Sequence, residues 1–579
     1  MCNHHYALKH SAMNRWPALC RLFMAAALIC TLASAVSCGS KWDPTATGTA
    51  SESSSGTVHL TAAEVQTIIA QAATRAQAVG LTVTIAVVDH EGTVLGLFRM
   101  TGAATDITIR GGGSGGLDSP TPLANRADEA AISKAGTAAF FSTQGNAFST
   151  RSASFIVQEH FPPNVNPSPG GPLFGVQFSQ LRCSDVSRTG HAAATANLPL
   201  GLSADSGGLP LYKNGTAVGG IGVEGDGLYT LDPDPADSDQ PLEEVIAAAG
   251  TLGFSAPAGI RGDTILVDGI AIPFANAEPP ASLNTTPYGS LSGTELQVPI
   301  LSPATGFTSS TLAGVAGSVD ANFPIVASGD AGGLTAPEVT QLLSQAAVQA
   351  NRTRAAIRNP IGAPARVTIT VVDAGGVILG MFRTVDAPIF GFDVSAQKAR
   401  TANFFTRTDA GTGLNTAGLN VYTNAMASEG VPLDGSTAFA DRAIGFLSQP
   451  IFPPGASGGF LPGPLSKPLG EWSVFNTGVQ FDALNVTNLL AGTAPCTKAG
   501  ISARAPNGLQ IFPGSVPLFR GNTHVGAIGV SGDGVDQDDI IAAMGSAGFE
   551  APAGIRSDTR TVRGVRLPYA VFPRNPNLF

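Results

Sequence analysis

The feature that most constrains the fold of this chain is an internal repeat. The sequence AAAGTLGFSAPAGIRGDT at 247–264 returns at 542–559 as AAMGSAGFEAPAGIRSDT. Five further pairs of segments match in the same order along the chain, and they begin at residues 60 and 334, 84 and 368, 134 and 398, 175 and 478, and 210 and 517. A repeat of this length predicts two homologous domains, because a single core rarely grows beyond about 250–300 residues.

The repeated segments place these domains at 58–277 and 333–579. The stretch between them, 278–332, is rich in Ser, Thr, Gly, Ala and Pro, and this composition predicts a linker. The chain has 70 Gly and 41 Pro, and only 13% of its residues are charged. Because 43% are hydrophobic, the composition predicts packed domains with long, weakly charged loops and argues against disorder.

Each repeat carries signals for the same helices and strands. The capping boxes Thr61-x-x-Glu64 and Thr335-x-x-Glu338 each start an amphipathic helix. Two short β-branched runs around a turn then predict a hairpin. A second helix, a further pair of strands and a last helix with an acidic first turn follow. This order predicts an α+β fold with a mainly antiparallel sheet in each repeat.

The N-terminus predicts an export signal. Residues 1–37 contain three Lys or Arg and no acid, and an apolar run occupies 22–36, which is typical of a signal peptide and too short for a comfortable membrane span. The run ends in AVSCG at 35–39, which resembles a bacterial lipobox, with Cys38 as the lipidated residue. Cleavage without lipidation is the alternative. Residues 38–57 would then be a flexible tether of a lipoprotein in the bacterial cell envelope, in the periplasm or on the outer surface.

The other cysteines allow one disulfide. If Cys38 is lipidated, the mature chain keeps only Cys183 and Cys496, which either form a disulfide in an oxidising compartment or remain two buried thiols. The two residues follow the copies of the GVQF segment at 175–178 and 478–481. A twofold pairing of the repeats would bring these two exits together.

The order of the repeated motifs resembles the GlcG/HbpS-type haem-binding family. The motifs are a VVDxxGxxLxxFR hairpin, a KAxTAxxF helix and a GGxPLxxxGxxVGxIGVxG strand pair. The resemblance implies an antiparallel sheet of about five strands with flanking helices in each repeat, and haem or a related tetrapyrrole as the ligand. It also implies that the fused domains pair with each other in place of a homodimer, with further oligomers left open. Both repeats depart from the family by a long insertion before the strand pair.

Haem needs an apolar slot and usually one axial ligand such as His, Cys, Met or Tyr. No histidine recurs in both repeats, and His160, which lies beside aromatic residues, is the candidate ligand, with packing in a loop as the alternative. Lys134 and Lys398 do recur, one helical turn before Thr137 and Thr401. This helix face is a candidate contact for a haem propionate or another anion. The alternative is a snorkelling lysine or a structural salt bridge.

Charge and motif context exclude other classes of function. The formal net charge of −10 argues against a nucleic-acid binder, which needs a basic face. Matches to G-x-S-x-G and G-x-G-x-x-G lack the helix that each of those sites requires. No nucleophile–base pair is identified, so an enzyme is not favoured. The acidic stretch 232–244 could hold Ca²⁺ but lacks the spacing of a calcium-binding loop, so a solvated loop before a helix is favoured and the metal is left open. We therefore predict a protein that binds, stores or senses haem. The alternative is a structural or interaction protein that has kept the fold without a ligand.

Overall fold

The computed structural model describes residues 58–165, 168–186, 198–235, 237–267, 269–303, 305–455 and 461–570. The predicted export signal and the tether at 38–57, including Cys38, lie outside these ranges. Within them, no helix is both long and apolar enough to cross a membrane.

The first repeat begins with the capped helix that its sequence predicts. The Thr61 hydroxyl accepts from the backbone N–H of Glu64, and the Thr61 N–H donates to the Glu64 carboxylate at 2.8 Å. The helices of this repeat are α1 (Ala62–Val79), α2 (Ala127–Phe141), α3 (Thr150–Ile156) and α4 (Leu242–Gly250). Its strands are β1 (Thr84–Asp89), β2 (Val94–Met100), β3 (Thr108–Ile109), β4 (Gly208–Lys213), β5 (Thr216–Glu224), β6 (Leu228–Tyr229), β7 (Leu266–Val267) and β8 (Ile270–Ala271).

The stretch 278–332, which the sequence predicts as a linker, lies between the two repeats and also contributes strands to their sheets. It contains β9 (Gly293–Gln297), β10 (Phe307–Leu312) and β11 (Val315–Asp320). β9 extends the first sheet beside β2, and β10 and β11 extend the sheet of the second repeat. β9 is almost wholly exposed, and four of its five residues, GTELQ, are glycine or polar. This is why its composition is that of a linker, although its backbone completes a sheet.

The second repeat follows the same plan with more helices. Its helices are α5 (Ala336–Arg352), α6 (Gly391–Thr406), α7 (Ala410–Thr416), α8 (Asn420–Ser428), α9 (Asp441–Leu447), α10 (Val479–Asp482), α11 (Val486–Ala491) and α12 (Val535–Gly545). Its strands are β12 (Thr368–Asp373), β13 (Ile378–Thr384), β14 (Ser515–Arg520), β15 (Thr523–Ser531), β16 (Thr561–Val562) and β17 (Val565–Arg566).

Each repeat has one main antiparallel sheet, and the two sheets share a register. The strand orders are β4-β5-β1-β2-β9 and β10-β11-β13-β12-β15-β14. Val87 lies opposite Ile221 in the first sheet, and their counterparts Val371 and Ile528 lie opposite each other in the second. The predicted α+β class, with an antiparallel sheet of about five strands, is confirmed.

The glycines of the long central strands allow a helix to lie directly on the sheet. A Cβ placed on Gly220 would come within 2.1 Å of the Ala135 carbonyl oxygen on α2, and one on Gly222 within 2.0 Å of that of Ala131. In the second repeat, a Cβ on Gly529 would come within 2.2 Å of the Ser395 carbonyl oxygen on α6. The glycine-rich motif therefore serves close helix packing, which fixes the side chains of α2 and α6 against the sheet.

The repeats contact each other through their two GVQF segments. The amide nitrogen of Gln177 donates to the Val474 carbonyl at 2.6 Å, and that of Gln480 donates to the Gly175 carbonyl at 2.9 Å. The rings of Phe178 and Phe481 lie 5.4 Å apart. The contact is thus nearly reciprocal, as expected where two homologous surfaces meet.

Beyond these segments, Cys183 and Cys496 form a disulfide with their Cα atoms 5.0 Å apart. Of the two states that the sequence allows for these cysteines, the structure has the bonded one. The bond joins positions 313 residues apart, so it links the first repeat covalently to the second.

Replacing both cysteines, Cys183→Ser with Cys496→Ser, should lower the free energy of unfolding by about 3–5 kcal/mol, because a long loop is no longer closed in the unfolded chain. Urea unfolding of the oxidised protein and of the double variant measures this difference. Reduction of the wild-type protein should reproduce the loss and should leave the variant unchanged. Equal midpoints for the oxidised wild type and the variant would contradict the expectation.

Candidate functional site

The recurring lysine of the first repeat lies at the centre of a buried ion cluster. The Lys134 side chain has no exposed surface, and its Nζ lies 2.9 Å from Asp205 Oδ2, 2.9 Å from Glu224 Oε2 and 2.7 Å from Glu243 Oε2. It also donates to the Val223 carbonyl at 3.1 Å. The ammonium group of Lys134 occupies the position that a metal ion would take among the three carboxylates.

Burial sets the protonation of this cluster. It raises the pKa of Asp205 to about 7, although Lys134 opposes the shift. It also raises the pKa of Glu224, and that of Glu243 well above its usual value. Burial alone would lower the pKa of Lys134, but the three carboxylates together raise it well above its usual value. The lysine therefore stays charged, and its charge is balanced inside the protein.

The second repeat keeps the lysine but has fewer carboxylates around it. Lys398 Nζ lies 2.9 Å from Asp538 Oδ2, donates to the Val530 carbonyl at 2.9 Å and lies 4.5 Å from the centre of the Phe512 ring. Phe512 stands at the repeat position of Asp205. Burial raises the pKa of Asp538 to about 7.

Both lysines therefore have the structural role that was the alternative to anion contact. The neighbouring threonines are also buried and paired. Thr137 Oγ1 donates to the Ser133 carbonyl and accepts from the Ser203 N–H. Thr401 Oγ1 makes the equivalent pair of contacts with Gln397 and Gln510. Neither face is open to a ligand.

His160 is half-buried in a loop, and its Nδ1 lies 2.9 Å from the Ser168 carbonyl oxygen. Its neighbour Phe161 lines the cavity described below, whereas His160 does not. The structure thus brings none of the five predicted ligand-contact residues to that cavity.

The substitution Lys134→Met should lower the free energy of unfolding by about 3–5 kcal/mol, because it leaves buried carboxylates without their counter-charge. Lys213, which pairs with Glu64 at 2.7 Å near the surface, gives the matched control. Lys213→Met should lower the free energy of unfolding by less than about 1 kcal/mol. Urea unfolding at neutral pH compares the two. Equal small losses would contradict a structural role for Lys134.

A cavity of about 770 Å³ lies between the two repeats. This volume falls within the range of roughly 300–1,000 Å³ that is typical of ligand sites. Most of the large side chains on its wall are aromatic or aliphatic, and both repeats supply them: Phe141, Phe148, Ile156, Phe161, Leu173, Phe174, Phe390, Phe446, Ile511 and Phe512. The cavity therefore offers a bulky ligand mainly apolar contacts.

A few polar side chains also line this cavity. Arg442 on α9 pairs through Nε with Asp539 and through Nη2 with Asp536, both on α12. Gln449 Oε1 accepts from the Gly170 N–H at 2.8 Å, so its amide is held in one orientation. The wall residues whose side chains can donate to a polar group of a ligand are Arg442, Gln449, Gln537 and Arg566.

Our sequence analysis missed Arg442, although the sequence contains a signal for it. The segment RSASFIVQEHFPP at 151–163 matches RAIGFLSQPIFPP at 442–454, so Arg, Phe, Gln and Phe-Pro-Pro recur at the same spacing. This is a seventh repeated block, inside the stretch that was interpreted as insertion. Arg151 is therefore the counterpart of Arg442.

The cavity fits haem in size and in apolar character but not in iron ligation. None of the described residues on its wall is a His, Cys, Met or Tyr, which are the usual axial ligands. A tetrapyrrole in this cavity would be held by its ring and its acidic groups.

Comparison with protein-family models finds one match, which lies inside the second repeat. Residues 476–547 match the family described as haem degrading protein HbpS-like. No curated protein matches the chain.

Three solved structures are similar to about a third of the chain. They are protein ORFY of Klebsiella pneumoniae (20% identity, 35% of this chain and 97% of that one, TM-score 0.21), PduOC in complex with haem (18%, 34% and 96%, 0.18) and a double mutant of HbpS from Streptomyces reticuli (20%, 34% and 88%, 0.19). These likenesses are too weak to carry an argument about the site.

Proposed function

We propose that this chain, a GlcG/HbpS-type protein by its second repeat, binds haem or a related tetrapyrrole in the cavity between its repeats. The observation that carries the proposal is the aromatic wall of that cavity, which is built by both repeats and has the volume of a ligand site. The family description of residues 476–547, which names haem, supports the same ligand class. Binding, storage and sensing are all compatible with such a site.

The wall predicts how the ligand is held. Contact with aromatic side chains increases the affinity for a flat aromatic ligand, because these side chains bury large apolar areas and stack on the ring at defined distances. Because no described wall residue is a usual iron ligand, the ring supplies most of the affinity. Metal-free protoporphyrin IX should therefore bind within a few-fold of the affinity of haem.

Titration of the purified protein with haem and with protoporphyrin IX, followed by absorbance and by tryptophan quenching, tests this proposal. Val267→Trp, at the cavity wall, should fill the space and weaken binding at least tenfold. Val377→Trp gives the control, because Val377 is exposed and does not line the cavity. No binding of either porphyrin would reject the proposal and favour a structural or interaction role. Strong binding of haem alone would indicate an iron ligand elsewhere.

We also propose that the protein is exported and anchored to the cell envelope through a lipid on Cys38. The support is the basic and then apolar N-terminal pattern, followed by the polar stretch at 38–57. A single lipid chain gives only weak attachment, so the several acyl chains of a bacterial lipoprotein would be needed for a stable anchor.

Cys38→Ala should move the protein from the membrane fraction to the soluble fraction, because it removes the attachment site. Cell fractionation with immunoblotting measures the change, and Thr45→Ala in the same strain controls for a substitution within the predicted tether. Membrane association that is unchanged in Cys38→Ala would contradict the anchor.

A further inference from the structure

The wall of the open cavity contains one copy of a duplicated set of residues. Arg442, Gly445 and Gln449 all line the cavity. Their counterparts in the first repeat are Arg151, Ser154 and Gln158. In both repeats the second and third residues of the set follow the arginine by three and seven positions. The two sets lie on α9 and α3 and just beyond them, so the fold places them alike.

In the first repeat this set is covered by a segment of the chain itself. We call residues 230–235 and 237–239 the acidic segment. Arg151 donates to Asp232 Oδ2 at 2.9 Å and to Asp239 Oδ1 at 2.7 Å. The Asp232 carbonyl accepts from the Gln158 amide at 2.8 Å and from the Ser154 hydroxyl at 3.2 Å. All three residues of the set therefore bind the acidic segment, and the Arg151 side chain has no exposed surface.

The second repeat has no counterpart of this segment. Fifteen residues separate Gly227 from Glu243, whereas three separate their counterparts Gly534 and Asp538. With those twelve residues absent, the Arg442 side chain keeps 18% of its surface exposed. The open cavity thus lies where the first repeat holds its acidic segment.

The two arginines differ in one donor. Each donates through Nε to the corresponding acid of the last helix, Glu244 or Asp539. Each also donates through Nη2 to an aspartate that precedes or begins that helix. Nη1 of Arg151 donates to Asp232, but among the described residues none accepts from Nη1 of Arg442. Within the described part of the chain, the Arg442 guanidinium is thus held in place while both N–H groups of Nη1 stay unused.

We propose that the acidic segment is a built-in occupant of the first site and that the ligand of the second site repeats its contacts. A carboxylate of the ligand accepts from Nη1 of Arg442, and a second oxygen accepts from the Gln449 amide. This inference rests on the proposed function and adds to it. The ligand is an apolar molecule that bears a carboxylate, and each chain binds one.

The test compares Arg442→Gln with its matched control Arg151→Gln, using protoporphyrin IX and its dimethyl ester as probes. Arg442→Gln should weaken binding of the free acid tenfold or more, since hydrogen bonds to charged groups are strong, and should leave binding of the ester unchanged. Arg151→Gln should change neither. An equal loss for acid and ester would show that Arg442 only shapes the wall, and no loss for either would also overturn the proposal.

Gln449→Met gives a second variant in case Arg442→Gln does not fold. It keeps the size of the side chain and removes the amide donor, so it should weaken binding of the free acid several-fold. Gln158→Met is its control in the first repeat and should leave both affinities unchanged. Identical binding by Gln449→Met and the wild type would count against the second contact.

Stoichiometry tests the other half of the proposal. The wild-type protein should bind one porphyrin per chain. Deleting residues 228–239, which joins Gly227 to Gln240 as Gly534 is joined to Val535, should raise this number to two. Two porphyrins on the wild type, or one on a folded deletion variant, would overturn the assignment of the acidic segment. If the deletion variant does not fold, the proposal is tested by the number of porphyrins bound to the wild type and by the comparison of Arg442→Gln with Arg151→Gln.

Failure of this inference can be separated from failure of the proposed function. If no porphyrin binds the wild type, the proposed function is rejected. The same arginine variants are then titrated with a fluorescent long-chain fatty acid and its methyl ester. If Arg442→Gln weakens binding of the fatty acid but not of its ester, and Arg151→Gln weakens neither, the carboxylate contact is retained. If Arg442→Gln does not weaken binding of the acid, that contact is rejected as well.

Discussion

A buried lysine that joins a helix, a strand and the last helix of each repeat is the interaction on which the site depends. A buried charge must be paired, so the positions of its partners are fixed with it. In the first repeat Glu243 holds Lys134, and the adjacent Glu244 holds Arg151. The second repeat uses 538–539 in the same way. The lysine is structural, but through the neighbouring acid it determines where the arginine of the cavity wall lies.

Local signals in the sequence predicted most of the fold. The capping box at Thr61 formed because its partner is three residues away, and the hairpin strands formed where β-branched residues flank a short turn. The internal repeat extended these predictions to the second half of the chain. The strands in 278–332 were not predicted, because β9, β10 and β11 bury few side chains, so no apolar face marks them in the sequence, and they pair through their backbones.

The candidate site was harder to predict because its contacts connect distant parts of the chain. The charge of Lys134 is balanced by Asp205, Glu224 and Glu243, up to 109 residues away, and no spacing rule joins residues so far apart. The cavity depends on an even less local fact, namely how two repeats pack against each other. Sequence comparison within the chain could still have found the arginines, since their segment recurs. It could not show that one copy lies open and the other covered.

The presence of the acidic segment in only one repeat illustrates a consequence of joining two homologous domains in one chain. Two identical subunits around a twofold axis carry every insertion twice, so a segment that closes one site closes both. Once the halves are joined in one chain, each half can change alone while the other preserves the shared interface. The twelve extra residues before Glu243 are such a one-sided change. Their presence makes the molecule asymmetric in its chemistry while its two sheets stay nearly alike.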